Sequence, residues 1–208
     1  MGEPLTLKAA ARALARGETT SRALVEDSLD RMLDPAGEGA RAFIGVFADG
    51  ARASAGAFDR LRAAGAAPSP YAGIPISIKD LFDVAGQETR AGSRVLAGRP
   101  HATVDAPAVA RLRAAGFVIV GRTNMTEFAY SGLGINAHYG TPRNPWQREQ
   151  GRIPGGSSSG CKPSRFDCAY CRTTLRKTSQ NRTAPFATHS ATTFGVDAGR
   201  YTATFEPN

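Results

Sequence analysis

The chain has 208 residues, of which 41% are hydrophobic, and its net charge is +8. This length and composition are ordinary for a globular protein with a sizeable core. No apolar run approaches the roughly 18 residues that span a bilayer, and the N-terminus lacks the pattern of a secretory signal. We therefore expect neither a membrane-spanning nor a secreted protein, and the lack of cysteine in residues 1–160 favours a cytoplasmic one.

Two helices are predicted at the start of the chain. The first is alanine-rich and covers residues 5–15. The second follows a cap at Thr20 or Ser21, because a hydroxyl at this position can accept a hydrogen bond from the first helical turn. Its apolar residues recur at helical spacing and predict one buried face, which comprises Leu24, Val25, Leu29, Met32 and Leu33.

A strand and a third helix are predicted next. Residues 43–47 form a short apolar run that favours a strand. Residues 51–64 have helical spacing, with Phe58 and Leu61 expected to anchor the helix in the core. Gly65 is expected to end it.

The middle of the chain predicts a strand, a helix and a second strand. Residues 73–80 alternate isoleucine with other residues, which indicates one buried face, with Lys79 on the opposite face at the end of the strand. A helix is expected from a cap at Asp105 to Ala115, followed by a buried strand at residues 117–121. This order predicts an α/β protein with crossover connections.

A short helix at residues 125–130 and a long loop at 132–156 lead to the sequence Gly-Gly-Ser-Ser-Ser-Gly at residues 155–160. Serines framed by glycines suit neither a helix interior nor a strand interior. Such a run is typical of a flexible linker, or of a loop that holds hydroxyls and amides in a site. Long loops in compact domains are usually functional or disordered.

Lys79 and the serine run together could form a hydrolytic pair. Serine is a poor nucleophile unless a base lies within hydrogen-bond reach. A lysine acts as that base only when burial or nearby positive charge keeps its amine neutral. The alternative is that Lys79 is a solvated lysine paired with Asp80 or Asp83.

Four segments in this order resemble the amidase signature family. Their sequences are Gly-Ile-Pro-Ile-Ser-Ile-Lys-Asp at residues 73–80, Gly-Arg-Thr-Asn-Met-Thr-Glu-Phe at 121–128, Thr-Pro-Arg-Asn-Pro-Trp at 141–146 and Gly-Gly-Ser-Ser-Ser-Gly at 155–160. The similarity extends through roughly residues 5–160. It implies the N-terminal part of a mixed sheet flanked by helices, and the hydrolysis of small-molecule carboxylic amides without a cofactor or metal.

The resemblance also implies residue roles. The family uses a Ser–Ser–Lys triad, whose lysine matches Lys79 and whose middle serine matches Ser157. That serine follows a cis peptide bond and relays a proton. Ser158 matches a neighbouring serine with a supporting role, and Ser159 stands where glycine is common.

The chain departs from the family pattern after Gly160. The family's nucleophile lies about two dozen residues beyond the middle serine, in a glycine-rich turn whose amides form the oxyanion hole. Residues 175–181 here read Leu-Arg-Lys-Thr-Ser-Gln-Asn, and Ser179 lacks the glycines that would shape the turn. No nucleophile is identified, and the sequence predicts a truncated, inactive amidase.

Two alternatives to that interpretation remain. The first is a fragment of a glutamine amidotransferase subunit, which would act with partner subunits. The second is a non-catalytic binding or assembly module derived from an amidase. Nothing in residues 1–160 separates a stand-alone amidase from such a subunit.

Residues 161–208 differ in composition from the preceding residues. Residues 1–160 carry 19 basic and 15 acidic side chains, whereas 161–208 carry 7 and 3 and hold all three cysteines. We therefore predict a boundary at Gly160 and a tail read from a shifted frame, or disordered. The alternatives are a nucleic-acid-binding arm, against which the scattered basic residues argue, and a zinc site, whose spacing is unfamiliar, made of Cys161, Cys168, Cys171 and His189.

Overall fold

A computed structural model describes residues 6–145 and 148–160. The proposals for the tail, including Ser179 and the zinc ligands, lie outside the described residues, as does Trp146. Among the described residues, no helix combines the length and the apolar character needed to cross a bilayer.

The first two helices begin at threonine caps. Helix α1 covers Leu7–Ala15, and the Thr6 hydroxyl accepts a hydrogen bond from the amide of Ala9. Helix α2 covers Ser21–Leu33, and the Thr20 hydroxyl accepts one from the amide of Ala23. These side chains satisfy amides that the first turn leaves without helical partners, so the prediction of a cap at Thr20 is confirmed.

A short helix precedes the first strand and a long helix follows it. Helix α3 covers Gly39–Ala42, strand β1 covers Phe43–Val46, and helix α4 covers Ala48–Ala63. The sequence does not predict helix α3, because four residues are too few to show a period.

The second half of the fold is a strand–helix–strand unit. Strand β2 covers Pro75–Lys79, helix α5 covers Pro107–Ala114, and strand β3 covers Val118–Thr123. The sheet order is β1-β3-β2, with β3 antiparallel to β1 and parallel to β2. The predicted α/β class and the mixed sheet are therefore confirmed.

Helices α2 and α4 pack on the sheet around one main apolar cluster. The buried residues of α2 insert between β1, β3 and α4, while the small side chains of Ala51 and Ala55 let α4 approach closely. A second cluster lies beneath α5 and β2. The main cluster comprises Val25, Leu29, Met32, Ala42, Phe43, Ala51, Ala55, Val118 and Val120.

Three predictions about individual residues are wrong. The sequence places Leu33 on the buried face of α2 and Leu61 on that of α4, but both side chains are exposed. Leu33 lies at the end of its helix, and alanines make the close contacts of α4. Asp105 does not cap α5, because its carboxylate accepts a hydrogen bond from the amide of Ala85 and forms an ion pair with Arg113.

Candidate active site

The structure brings Lys79 and Ser157 into direct contact. Lys79 is the last residue of β2, and Lys79 Nζ donates a hydrogen bond of 2.6 Å to Ser157 Oγ. Lys79 pairs in register with Thr123, the last residue of the parallel strand β3. Ser157 therefore lies where the carboxyl ends of two parallel strands meet, which is the usual place for a site in such a sheet.

The segment that follows β3 holds the glycine–serine loop. The amide of Thr126 donates to the carbonyl of Ser157 at 3.1 Å, and the amide of Gly156 donates to the carbonyl of Gly132 at 2.6 Å. The amide of Gly160 donates to the carbonyl of Asn124 at 2.8 Å. The Gly156–Ser157 peptide bond is cis, as the family resemblance implies. Backbone hydrogen bonds thus fix the loop at both ends, so it is not a flexible linker.

Two glycines of this loop are required by close backbone contacts. A Cβ added at Gly156 would lie 2.3 Å from the carbonyl oxygen of Ser131, and one at Gly160 would lie 2.0 Å from that of Ala42. Both carbonyl oxygens belong to the main chain, so the backbone would have to shift to make room for an added Cβ. The glycines that flank the serines therefore let the loop approach the rest of the fold.

The carboxylate of Asp80 is held by groups other than Lys79. Asp80 Oδ1 accepts a hydrogen bond of 2.7 Å from Arg122 Nε, and Asp80 Oδ2 accepts one of 2.9 Å from the amide of Gly92. The side chains of Asp80 and Arg122 are 1% and 5% exposed. Both carboxylate oxygens of Asp80 therefore have donors other than Lys79, whereas Arg122 Nη1 is buried without a hydrogen-bond partner among the described residues.

The two serines after Ser157 differ in burial. Ser158 is half-buried, whereas Ser159 is fully buried. The hydroxyl of Ser159 has no hydrogen-bond partner within the part of the chain that the structure describes.

A cluster of polar side chains surrounds Glu127 near the site. Ser93 Oγ donates to Glu127 Oε1 at 2.6 Å, and His138 Nε2 lies 2.9 Å from the same oxygen. The hydrogen bond from Ser93, with a smaller contribution from His138, lowers the pKa of Glu127 against the opposing effect of desolvation. The Glu127 side chain thus links the segment that holds Ser93 to the segment that holds His138.

Sequence reasoning missed Thr126, Arg122 and the Glu127 cluster as parts of this site. The signal that could have found them is positional. Residues that directly follow β3 share the carboxyl edge of the sheet with Lys79, so polar residues at 124–127 could have been assigned to it. Across residues 6–145 and 148–160, no group of three or more metal-binding side chains is found.

A match to a family model identifies the family of this chain. The model described as Amidase matches residues 23–161. The chain belongs to the amidase signature family. The resemblance of its four segments is therefore confirmed, and the fold described above is part of the amidase signature fold.

Curated relatives of this amidase-family chain are much longer than it is. It is 43% identical over 162 residues to a glutamyl-tRNA(Gln) amidotransferase subunit of Thermobifida fusca, and the match covers 77% of this chain and 32% of the relative. It is 44% identical over 148 residues to the AtzE subunit of the 1-carboxybiuret hydrolase of a Pseudomonas species, with 71% and 32% covered. The chain therefore spans about a third of the length of these relatives.

Solved structures show the same relationship. The peptide amidase of Stenotrophomonas maltophilia is similar with a TM-score of 0.63 and 38% identity, over 74% of this chain and 32% of that protein. A protein complex described as revealing the origins of an s-triazine catabolic enzyme contains a chain with a TM-score of 0.69 and 41% identity, over 74% and 33%.

Proposed function

We propose that residues 1–160 form the Lys79–Ser157 part of a centre that hydrolyses small carboxylic amides through a serine acyl-enzyme. The observation that carries this proposal is the 2.6 Å hydrogen bond between Lys79 Nζ and Ser157 Oγ. It joins a potential proton acceptor to a hydroxyl in a loop that Thr126 and Gly132 hold in place. The relative from the 1-carboxybiuret hydrolase supports an amide-like substrate.

In the proposed mechanism, the two side chains carry a proton. A neutral Lys79 amine takes the proton of Ser157 Oγ while Ser157 takes the proton of the attacking serine hydroxyl. The same path in reverse delivers a proton to the departing amine. Ser158 is proposed to support the loop. Fixing these groups before the substrate binds lowers the cost of reaching the reactive geometry.

The attacking serine is not supplied by residues 1–160 in this proposal. Residues 175–181, where the family pattern places it, lack the glycine-rich turn. We therefore expect the 208-residue chain alone to hydrolyse no simple amide, because loss of a nucleophile and oxyanion donors costs several orders of magnitude in rate. Amide turnover by this chain that disappears in Lys79→Ala would contradict the expectation.

A covalent chimera tests the roles of Lys79 and Ser157. Residues 1–160 are joined to the part of the Pseudomonas hydrolase subunit that follows its match to this chain, and release of ammonia from carboxybiuret is measured. We expect turnover that falls by about 10³-fold or more in Lys79→Ala and in Ser157→Ala. Lys8→Ala and Ser54→Ala, at exposed positions, are the matched controls. A folded chimera whose activity survives Lys79→Ala would refute the proposal.

A second candidate rests on the relative from the glutamyl-tRNA(Gln) amidotransferase. In that case the amide would be a glutamine side chain, and activity would require further subunits. The analogous chimera with that relative, assayed for glutaminase activity with and without its partner subunits, separates the two candidates.

A further inference from the structure

The side chain of Asn136 is buried and uses all of its hydrogen-bonding capacity. It is 3% exposed. Its Oδ1 accepts hydrogen bonds of 2.8 Å and 3.0 Å from the amides of His138 and Tyr139. Its Nδ2 donates a bond of 2.7 Å to the carbonyl of Met125 and one of 2.8 Å to the carbonyl of Gly92. An asparagine side chain offers two donors and two acceptor positions, so all four are used.

The chemistry of these four partners requires an amide at Asn136. The two carbonyls can only accept a hydrogen bond, and the two main-chain amides can only donate one. Nδ2 must therefore face Met125 and Gly92, because the reversed side chain would set donor against donor and acceptor against acceptor. An ionised aspartate has the same shape but no donor. It would place a negative charge against both carbonyl oxygens.

Asn136 binds the peptide group that holds the serine loop. The carbonyl of Met125 and the amide of Thr126 belong to one planar peptide group. Asn136 donates to the carbonyl of this group, and the amide of the group donates to the carbonyl of Ser157 at 3.1 Å. Hydrogen bonds in series polarise one another and gain strength. The side chain of Asn136 therefore fixes the orientation of the group that binds Ser157.

The second bond from Asn136 leads to the strand that carries Lys79. Gly92, whose carbonyl accepts this bond, donates its amide to Asp80 Oδ2 at 2.9 Å. The carbonyl of Asp80 also accepts a bond of 3.0 Å from the amide of Ala91, and Asp80 directly follows Lys79. Asn136 is thus bonded to both sides of the contact between β2 and the serine loop.

Backbone strain occurs in the two loops that Asn136 joins. Ala91, Phe128 and Ala129 have φ angles of 51°, 50° and 59°, in a region that residues other than glycine rarely adopt. The amide of Phe128 donates to the carbonyl of Ala91 at 2.9 Å, so two strained residues bind each other. Such strain persists only where the surrounding structure holds it, and it concentrates at functional sites. The buried amide of Asn136 binds both loops and is one of the groups that hold them.

We propose that Asn136 is a positioning residue for the Lys79–Ser157 pair. Its amide connects the loop bonded to Asp80 with the peptide group that binds Ser157. This connection keeps Lys79 Nζ and Ser157 Oγ within hydrogen-bond reach. The inference rests on the proposed function for its catalytic meaning, since a proton passes between the two side chains only at such a distance. The connection itself is measured without turnover.

Labelling of Lys79 in the 208-residue chain tests the connection. The chain is treated briefly with acetic anhydride, and mass spectrometry measures the acetylation of Lys79 relative to that of exposed Lys8. We expect Asn136→Asp to raise this ratio by about threefold or more, the size that the loss of one hydrogen bond gives, because Lys79 loses its bond to Ser157. Asn136→Ser keeps one donor and should raise the ratio less.

The matched control for both variants is Val25→Ala. It opens a cavity in the main apolar cluster, so it lowers stability without touching the bonds of Asn136, and it should leave the labelling ratio unchanged. Thermal melts show which variants are folded.

The covalent chimera described above tests the consequence for turnover. We expect Asn136→Asp to lower kcat by about tenfold or more while KM stays within about twofold, because an interaction needed only in the reaction step affects kcat and not substrate binding. Asn136→Ser should give an intermediate kcat. Val25→Ala should keep the kcat and KM of the unsubstituted chimera.

The outcomes separate the positioning role from the proposed function. An active chimera in which Asn136→Asp has the kcat of Val25→Ala would overturn the positioning role and leave the proposed function standing. A chimera whose activity survives Lys79→Ala, or that turns over no amide, would contradict the proposed function, and the labelling ratio alone would then test the connection. An unchanged ratio in folded Asn136→Asp would overturn the connection. Failure of both Asn136 variants to fold would also overturn the proposal, because Asn136 would then serve the fold as a whole.

Discussion

Lys79 and Asp80 are adjacent in sequence, yet the structure gives them different surroundings. Lys79 is directed to the serine loop, and Asp80 is directed to Arg122 and Gly92. Successive side chains at a strand end point in opposite directions, so the two side chains have different partners although the residues are neighbours.

Removing Arg122 is expected to destabilise the protein strongly. Arg122→Met would leave the Asp80 carboxylate buried without its cation, and breaking a buried pair from one side costs about 3–5 kcal/mol. The matched control is Arg113→Met, since Arg113 pairs with Asp105 but is 48% exposed, and an exposed pair contributes about 0–1 kcal/mol. Urea unfolding of both variants measures the difference. Equal losses would show that the buried Asp80–Arg122 pair contributes no more to stability than the exposed pair.

Glu127 is expected to make stability depend on acid pH. Because its folded-state pKa is lowered, chiefly by the hydrogen bond from Ser93, its contribution is complete above the ordinary carboxyl range and is lost as pH falls through the lowered value. The melting temperature of Glu127→Gln should therefore lie below that of the unsubstituted protein at about pH 5, with the gap narrowing towards about pH 3. Glu149→Gln, at an exposed position, controls for the loss of one charge. A gap that is constant with pH would contradict this assignment.

At the level of elements, the sequence predicts the strands and main helices because apolar periodicity and capping residues are local signals. The strand that ends at Lys79 and the helix that begins after Thr20 both follow from such signals. The sequence does not predict that β1 pairs with β3 in the antiparallel sense, or that Thr126 binds the carbonyl of Ser157. These are long-range contacts, and no local pattern contains them.

The serine loop packs tightly against the segment after β3. We therefore predict that alanine at Gly156 destabilises the protein more than alanine at Gly132 does. Gly156→Ala would place a methyl group 2.3 Å from a carbonyl oxygen, and overpacking of this kind costs about 1–3 kcal/mol. Gly132→Ala is the matched control, because a Cβ there would meet no atom within 4 Å. Chemical unfolding of each variant gives the comparison. A neutral Gly156→Ala would show that the loop is not packed as closely as described.

On the scale of the whole molecule, the described part of the chain has apolar clusters of its own. The main cluster and the cluster beneath α5 are built from residues 25–120. Among the described residues, no strand pairs with the outer edge of β2.

These clusters predict the effect of removing the tail. A chain that ends at Gly160 should keep its cooperative melt, with a midpoint within about 2–4 °C of that of the 208-residue chain, a range equivalent to about 1 kcal/mol or less. The physical reason is that three apolar clusters form within residues 10–120. Circular dichroism melts of the two chains provide the measurement.

A second truncation after Gly151 is the control for the chain that ends at Gly160. It removes the serine loop that Asn124, Thr126 and Gly132 bind, so it should lower the midpoint. If the chain ending at Gly160 loses its cooperative transition, residues 161–208 contribute to the core, and the boundary proposed at Gly160 is wrong.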